Sequence, residues 1–398
     1  MIIVMNKRIY AALAAALVLI GCQKTITPVP TPEPPVPQEP PVAQMKARSI
    51  PAVGDLSLHE KVCQMFSLRP EALEGTKTQM TVLTDRMKAT FKEYPVGGFT
   101  LFAGNIVSPY QCAPFTDDLH DLGCYPLLSI DEEGGRVARI GNNASFNVPR
   151  ISSAYDIGST GDSLQALKAG AAIGEYLLKN GFDIDFAPVA DVWTNPDNTV
   201  IGNRAFGTDP YKVASMSSEF LKGLRSINVE GCLKHFPGHG NTSTDSHYGY
   251  ATTGKNWDEL LECEMIPFKR GISKGAKLIM TAHVSVPEVT FSELPSTLSR
   301  VMLTEKLRGE LGFDGVIVTD AIEMGAITKQ FSVEEAAVMA VQAGADLITL
   351  PNDFKAAIAA IEAAVQAGDI TTQRIDESVA RILDLKRSIL ESRGLLIK

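Results

Sequence analysis

The order of apolar and polar positions predicts strands alternating with helices along most of the chain. Short apolar runs, typical of strands buried on both faces, recur between longer amphipathic stretches. The predicted strands are Gly97–Phe102, Leu127–Ile130, Ile184–Pro188, Gly231–Leu233, Leu278–Thr281, Val316–Val318 and Leu347–Leu350. The predicted helices are Ser57–Phe66, Ser163–Lys179, Lys212–Ser226, Val333–Gln342 and Ile375–Glu391. This alternation implies a parallel sheet, either doubly wound or closed as a (β/α)8 barrel.

The positions of the ionisable residues favour the barrel. No G-x-G-x-x-G follows the first strand, as it would in a dinucleotide-binding, doubly wound fold. Several predicted strands instead end in charged or ionisable groups: Asp131 to Arg136, Asp191, Lys234 with His235, His283, and Asp320. In a barrel these ends converge on one face, where the active site lies. We therefore expect a single TIM-type (β/α)8 barrel over residues 48–398.

The N-terminus has the features of a lipoprotein signal. Lys7 and Arg8 precede the apolar run Ile9–Ile20, which is followed by Gly21 and Cys22. The run is shorter than the ~20 residues of a membrane-spanning helix, so it is typical of a secretory signal. Because L-I-G-C looks like a bacterial lipobox, residues 1–21 are predicted to be a signal peptide and Cys22 a lipidated first residue. The alternative is an ordinary signal peptide with an incidental cysteine.

Residues 22–47 are rich in proline and predict an extended linker without a core. Together with Cys22 they indicate a domain held at a membrane of the bacterial cell envelope. The formal net charge is −9, and it becomes −11 once the two basic residues of the signal are removed, which argues against nucleic-acid binding. The odd number of remaining cysteines, with no C-x-x-C, argues against a disulfide framework. The oligomeric state is left open.

The segment Val229–Tyr250 carries the densest group of candidate catalytic residues. Between Lys234 and His247 it holds three of the six histidines of the chain. Its apolar start predicts a strand that ends at Lys234 and His235, and its glycines predict a loop that carries Asp245 and His247. Rigid groups beside an ionisable pair on a mobile loop indicate an active site. A zinc site is the rival interpretation, but the spacing of typical ligands is missing. A Ser–His–Asp triad would need a G-x-S-x-G turn, which is also missing.

Asp320 is the candidate nucleophile. It follows a β-branched apolar strand and is therefore predicted to project from a rigid strand end, where a fixed carboxylate can act as a nucleophile or stabilise a developing positive charge. The alternative is an N-cap for a helix that begins at Ala321–Met324. A histidine oriented by a carboxylate can donate a proton near neutral pH, so His247 with Asp245 is the candidate acid/base. His283 is the next candidate for the acid.

Four motifs resemble glycoside hydrolase family 3, specifically its β-N-acetylglucosaminidase branch. The first is K-H-F-P-G-H-G followed by D-S-H. The others are I-D-E-E-G-G-R-V-A-R from Ile130, with Glu132 where glutamine is more usual, N-T-V-I-G-N-R-A-F-G from Asn198, and V-T-D-A-I-E-M from Val318. The opening helix, L-S-L-H-E-K-V-C-Q-M-F from Leu56, is also similar. The resemblance covers nearly the whole globular region.

The resemblance implies a role for each matching residue. Asp320 would be the nucleophile of a retaining mechanism, and His247 the acid/base, oriented by Asp245. The hydroxyl groups of a terminal sugar would be held by Asp131, Arg139, Arg204, Lys234 and His235. The implied activity is exo-hydrolysis of β-linked N-acetylglucosamine from peptidoglycan fragments or other glycans, without a metal or other cofactor. A phosphorylase of the same family and a catalytically inactive glycan-binding lipoprotein are the alternatives.

Overall fold

A computed structural model of the protein describes residues 39–244 and 251–397. The strands in these residues are β1 (Phe66–Leu68), β2 (Gly98–Thr100), β3 (Leu127–Ile130), β4 (Glu132–Gly134), β5 (Val137–Ala138), β6 (Ile184–Asp185), β7 (Glu230–Phe236), β8 (Ser243–Thr244), β9 (Ala251–Thr252), β10 (Leu278–Thr281), β11 (Val284–Ser285), β12 (Val316–Thr319) and β13 (Ile348–Thr349).

The α-helices in the same residues are α1 (Leu58–Gln64), α2 (Pro70–Glu74), α3 (Asp85–Glu93), α4 (Pro109–His120), α5 (Ala154–Ser159), α6 (Ser163–Lys179), α7 (Pro210–Ser226), α8 (Trp257–Leu261), α9 (Met265–Ser273), α10 (Pro287–Thr290), α11 (Gly325–Thr328), α12 (Val333–Ala343), α13 (Phe354–Ala367) and α14 (Thr372–Ser392). A π-helix spans Val301–Glu310, and a short 3-10 turn spans Ser296–Leu298.

Eight of the strands form one parallel sheet in the order β12-β10-β7-β6-β3-β2-β1-β13. A parallel bridge between Val318 and Leu347 joins the first strand in this order to the last. At least one helix follows each strand and leads to the next, because parallel neighbours need a crossover connection. The predicted (β/α)8 barrel is confirmed, and it brings the C-terminal ends of all eight strands to one face.

The first barrel strand was missing from the sequence prediction. Ser57 caps α1 by accepting a hydrogen bond from the Glu60 N–H, as the predicted helix start requires. The helix ends at Gln64, however, and Phe66 begins β1. A three-residue strand is too short to show the alternation of apolar and polar residues that marks a strand. The predicted helix was therefore extended to Phe66, the first residue of β1.

The barrel strands carry buried side chains, mostly apolar, with a row of hydrogen-bonded hydroxyls at Ser67, Thr100 and Ser129, and the helices pack closely around them. The barrel strands are buried along their whole lengths. Helices α6 and α7 approach each other at two glycines: a Cβ on Gly170 would lie 2.2 Å from the Phe220 carbonyl oxygen, and one on Gly223 2.2 Å from that of Leu167. The sheet is thus held rigidly, which fixes the side chains at its strand ends.

The compact body begins before the predicted boundary at residue 48. The backbone N–H of Ala43 donates to the Lys179 carbonyl oxygen over 2.8 Å, and that of Gln44 donates to Asp117 Oδ2 over 2.8 Å. The compact unit therefore starts near Pro40. Cys22 and the predicted signal peptide lie outside the described residues. Within the described residues, no helix combines the length and apolar character that crossing a membrane requires.

Candidate active site

A cavity of about 410 Å³ opens at the C-terminal ends of the barrel strands. Its walls bring together six residues that the sequence predicted for the site: Asp131, Arg139, Arg204, Lys234, His235 and Asp320. These residues come from the C-terminal part of β7 and from the segments that follow β3, β6 and β12. Asp245 and His247 lie outside the described residues, in the segment between β8 and β9.

One wall of the cavity is a cluster of alternating charges. The Lys234 ammonium lies 2.8 Å from Asp131 Oδ1 and 2.7 Å from Glu133 Oε1. Arg204 binds Glu133 with two parallel hydrogen bonds of 2.8 Å each. Arg139 Nη2 lies 3.2 Å from Asp131 Oδ2. The cluster joins three cations to two carboxylates, so its donors are held in place before a ligand arrives.

These contacts keep Lys234 and Glu133 ionised despite burial. Burial alone would lower the pKa of Lys234, but the carboxylates of Asp131 and Glu133 raise it well above its usual value. Burial likewise opposes ionisation of Glu133, yet Lys234 and Arg204 hold the pKa of its carboxyl well below the usual range. Lys234 and Glu133 are therefore charged at any pH near neutrality, and the wall has donors and acceptors suited to several hydroxyls of one sugar.

Glu133 is a site residue that the sequence analysis did not select, although it lies beside Glu132. Strand alternation sends neighbouring side chains to opposite sides, and Glu133 is the one that contacts Lys234 and Arg204. Glu132 instead accepts the backbone N–H groups of Arg139, Ile140 and Gly141 and the Tyr176 hydroxyl. Glu132 thus holds the loop that carries Arg139.

Asp191 orients two histidines at the end of β7. Its Oδ2 accepts a 2.7 Å hydrogen bond from His235 Nδ1, and its Oδ1 accepts the backbone N–H of His239 over 2.6 Å. Arg204 Nη2 lies 3.4 Å from His235 Nε2. A Cβ on Gly240 would lie 2.1 Å from the Val192 carbonyl oxygen, so glycine lets this loop lie against the Asp191 segment.

His239 also lines the cavity, and the sequence analysis gave it no role. Its Nδ1 lies 2.9 Å from Thr242 Oγ1, and its carbonyl oxygen accepts a hydrogen bond from Asn198 Nδ2 over 2.7 Å. Burial lowers the pKa of its imidazole. Asn198 lies in the loop from which Arg204 projects, so one loop holds two walls of the cavity.

Asp320 also lines the cavity and lies directly after β12. The following helix, α11, begins only at Gly325, with Met324 at its N-cap position, so the interpretation of Asp320 as a helix cap is wrong. Burial alone would raise the pKa of Asp320, but His283 and His235 outweigh it and the pKa is lowered. The carboxylate is therefore ionised and available as a nucleophile.

His283 is not placed to act as an acid on a ligand in the cavity. It is almost completely buried and does not contribute to the cavity wall. Its Nδ1 contacts Thr297 Oγ1 over 2.9 Å, and its Nε2 contacts the Ala321 carbonyl oxygen over 3.0 Å. With both ring nitrogens in hydrogen bonds, the fallback assignment of His283 as the acid has no support from the geometry.

The described residues do not gather a metal site. Among residues 39–244 and 251–397, no three side chains of the types His, Cys, Asp and Glu are arranged to hold a metal ion.

A family model described as "Glycosyl hydrolase family 3 N terminal domain" matches residues 57–385. The chain belongs to glycosyl hydrolase family 3. The family predicted from the motifs is confirmed, and the chain is a glycoside hydrolase. The matched residues include the whole barrel from the N-cap of α1 into α14.

Two relatives show how far the similarity extends. Beta-hexosaminidase LpqI of Mycobacterium tuberculosis is 32% identical over 388 residues, which cover 94% of this chain and 95% of the relative. Beta-hexosaminidase A of Pseudoalteromonas piscicida is 32% identical over 80% of this chain but only 58% of its own length. This chain therefore spans less than two thirds of the second relative.

Solved structures show the same relationship in three dimensions. A glycoside hydrolase family 3 beta-N-acetylglucosaminidase from Paenibacillus sp. str. FPU-7 superimposes with a TM-score of 0.77 at 37% identity, over 85% of this chain and 63% of that chain. The structure of M tuberculosis LpqI gives a TM-score of 0.70 at 31% identity, over 86% and 98%.

Proposed function

We propose that this glycoside hydrolase removes terminal, non-reducing β-linked N-acetylglucosamine by a retaining mechanism. The observation that carries the proposal is the pairing of an ionised Asp320 with a closed wall of sugar-binding groups in one cavity. The similar proteins named beta-hexosaminidase and beta-N-acetylglucosaminidase support the choice of sugar.

The charged cluster supports action at the end of a glycan. Glu133 and Lys234 line the cavity and are almost completely buried, so a sugar that contacts them leaves no solvent-exposed position on that side for a further unit. The rim near Arg69, Glu323 and Leu350 is shared with a second groove of about 730 Å³. We infer that the leaving part of the glycan lies along this groove.

Asp320 is the proposed nucleophile. Attack of its carboxylate on the anomeric carbon forms a glycosyl ester while the glycosidic bond breaks, and water then releases the sugar. The departing oxygen needs a proton, for which His247 with Asp245 is the proposed donor. This assignment rests on the D-S-H motif and its resemblance to the family.

Lys234, Arg204, Arg139 and Asp131 are the proposed contacts to the hydroxyls of the bound sugar, together with His235. The cations supply donors only, while Asp131 offers acceptors. Because each of them already has a partner in the cluster, a sugar hydroxyl replaces or extends existing hydrogen bonds and meets groups that are held in place.

We also propose that Cys22 anchors the protein to a membrane of the cell envelope through a lipid. The L-I-G-C sequence after a short apolar run supports this. Changing Cys22 to Ala should release the protein from the membrane fraction without changing its specific activity. Retention in the membrane fraction would place the anchor elsewhere.

The deciding experiment is turnover of a chromogenic aryl β-N-acetylglucosaminide by the parent protein and by Asp320→Ala. The variant should lose several orders of magnitude in rate, because the covalent route is gone. Asp314→Asn is the matched control, since Asp314 is exposed at the opposite end of β12. A fluorinated N-acetylglucosaminide should add its sugar mass to the peptide that holds Asp320.

Three results would change the proposal. Labelling of another carboxylate would move the nucleophile. No turnover by the parent protein of any N-acetylglucosaminide would leave a glycan-binding protein. Formation of the glycosyl phosphate when phosphate is added would show that phosphate competes with water as the acceptor.

A further inference from the structure

His283 lies directly behind the proposed nucleophile. Strands β10 and β12 pair in parallel with Thr281 opposite Thr319, so His283 and Asp320 follow neighbouring strands at the same end of the barrel. The backbone N–H of Asp320 donates to the Thr281 carbonyl oxygen over 3.1 Å. His283 is only 5% exposed and does not line the cavity, so it touches no ligand there.

The hydrogen bonds of His283 lead to the carboxylate of Asp320 through the backbone of one residue, Ala321. His283 Nε2 lies 3.0 Å from the carbonyl oxygen of Ala321, and since a carbonyl oxygen only accepts, this nitrogen carries the proton. The N–H of the same residue, Ala321, donates to Asp320 Oδ1 over 2.7 Å. His283 therefore holds Ala321, which in turn holds one oxygen of Asp320.

The other side of the ring is fixed as well. His283 Nδ1 lies 2.9 Å from Thr297 Oγ1, and this hydroxyl is 3.0 Å from the Ala282 carbonyl oxygen. Thr297 lies in the buried 3-10 turn Ser296–Leu298, whose first residue donates from its hydroxyl to the Val284 carbonyl oxygen over 2.7 Å. The imidazole is thus held between two strand ends and a turn, without freedom to reorient.

We propose that His283 is a positioning residue for Asp320, acting through the backbone of Ala321 rather than on the substrate. Its Nε2–H fixes the Ala321 carbonyl oxygen, which restrains the backbone dihedral angles of Ala321 and so keeps its N–H on Asp320 Oδ1. The other oxygen of Asp320, Oδ2, then has a fixed direction for attack. This proposal rests on the proposed function only in taking Asp320 as the nucleophile.

Two substitutions of His283 distinguish the roles of its two ring nitrogens. The amide nitrogen of glutamine can take the place of Nε2 and still donate to Ala321, whereas that of asparagine matches Nδ1 and reaches only Thr297. His283→Asn should lower kcat by about 10- to 100-fold with KM nearly unchanged, since a misplaced reacting group costs rate even when binding is intact. His283→Gln should recover kcat to within about threefold of the parent protein, because the hydrogen bond to Ala321 is restored.

A second histidine provides the control. His120 is also buried, and its Nε2 lies 2.9 Å from the Gly181 carbonyl oxygen, far from the cavity at the end of α4. His120→Asn and His120→Gln should change thermal stability without the split between kcat and KM. If the two His283 variants lose kcat equally, or lose it in proportion to their stability, the role of His283 is only structural.

The rate of covalent labelling by the fluorinated N-acetylglucosaminide tests the role of His283 separately from the assignment of Asp320 as the nucleophile. His283→Asn should label Asp320 more slowly than the parent protein, by the same factor as the loss in kcat. Labelling of Asp320 at the parental rate would overturn the role of His283 and leave the nucleophile intact. Labelling of a different carboxylate in the parent protein would overturn the nucleophile instead.

Discussion

Two lysines are buried at opposite ends of the barrel, and they differ in what surrounds them. Lys234, at the C-terminal end of β7, contacts the carboxylates of Asp131 and Glu133 and is 2% exposed. Lys386, on α14, is 0% exposed and contacts only neutral oxygens, Gln64 Oε1 at 2.7 Å and the Cys124 carbonyl oxygen at 2.9 Å. The two ammonium groups are buried to a similar degree, but only that of Lys234 contacts carboxylates that balance its charge.

The difference shows in the direction of the two pKa shifts. Burial lowers the pKa of both groups, but at Lys234 the two carboxylates reverse the effect and raise it. At Lys386, where no carboxylate makes direct contact, burial lowers the pKa to about 8. Burial alone therefore does not identify a functional lysine. A lysine that keeps its charge and faces a cavity can bind a ligand, whereas Lys386 ties the N-terminal ends of β1 and β3 to the last helix.

Among the variants compared below, the largest effect on activity is expected from His247, the proposed acid. His247→Ala should lose about 10²–10⁴-fold in rate on a disaccharide, because a sugar alkoxide is a poor leaving group without its proton. An activated aryl glycoside should be cleaved with a much smaller loss, and a burst of phenol should precede slow turnover. Equal losses on both substrates with no burst would remove His247 as the acid.

Lys234→Met should lower kcat/KM by about 10²–10³-fold, or ~3–4 kcal/mol of transition-state stabilisation, because a donor to the sugar is lost and two carboxylates lose a partner. Steady-state kinetics on the aryl N-acetylglucosaminide measures this loss. Lys386→Met, the matched control, should keep the parental kcat/KM. A similar loss of kcat/KM in both variants would mean that removing either buried lysine lowers activity by disturbing the fold, and that Lys234 has no specific role in ligand binding.

Lys386→Met should change the way stability depends on pH. In the folded protein the pKa of Lys386 is about 8, below its unfolded value, so the unfolded state binds more protons between about pH 8 and 10.5. The free energy of unfolding of the parent protein should therefore gain up to about 3 kcal/mol from Lys386 as the pH rises through this window. Denaturant unfolding at several pH values should show this contribution in the parent protein only. Parallel curves would mean that Lys386 keeps an ordinary pKa.

Asp191→Asn should cause the smallest loss, about 10- to 100-fold in kcat/KM, because the ring of His235 remains but its orientation and the loop at His239 are no longer fixed by a carboxylate. His235→Asn in the same background tests the coupling. If Asp191 acts through His235, the double variant should lose little more than His235→Asn alone. Fully additive losses would show that the two residues act separately.

The order of apolar and polar residues along the chain was sufficient to predict the alternation of strands and helices. The helix Ser163–Lys179 has the predicted limits, and so do the strands Leu127–Ile130 and Leu278–Thr281. In each of these elements the apolar residues recur over enough positions to distinguish a helix from a strand and to indicate its limits. The three-residue strand Phe66–Leu68 was missed because so short a run has no period.

The sequence by itself determined which residue types stand at the strand ends, and its motifs determined the family. Tertiary structure alone decided that Glu133 rather than Glu132 faces the cavity, that Asp191 holds His235, that His283 lies behind Asp320, and that Lys386 reaches Gln64. Asp191 and His235 are 44 positions apart in the sequence. His283 and Asp320 are 37 positions apart, and Gln64 and Lys386 are 322 positions apart. Such contacts depend on the register of parallel strands and on the closure of the barrel, because local periodicity fixes the face of an element but not which distant element comes to lie against it.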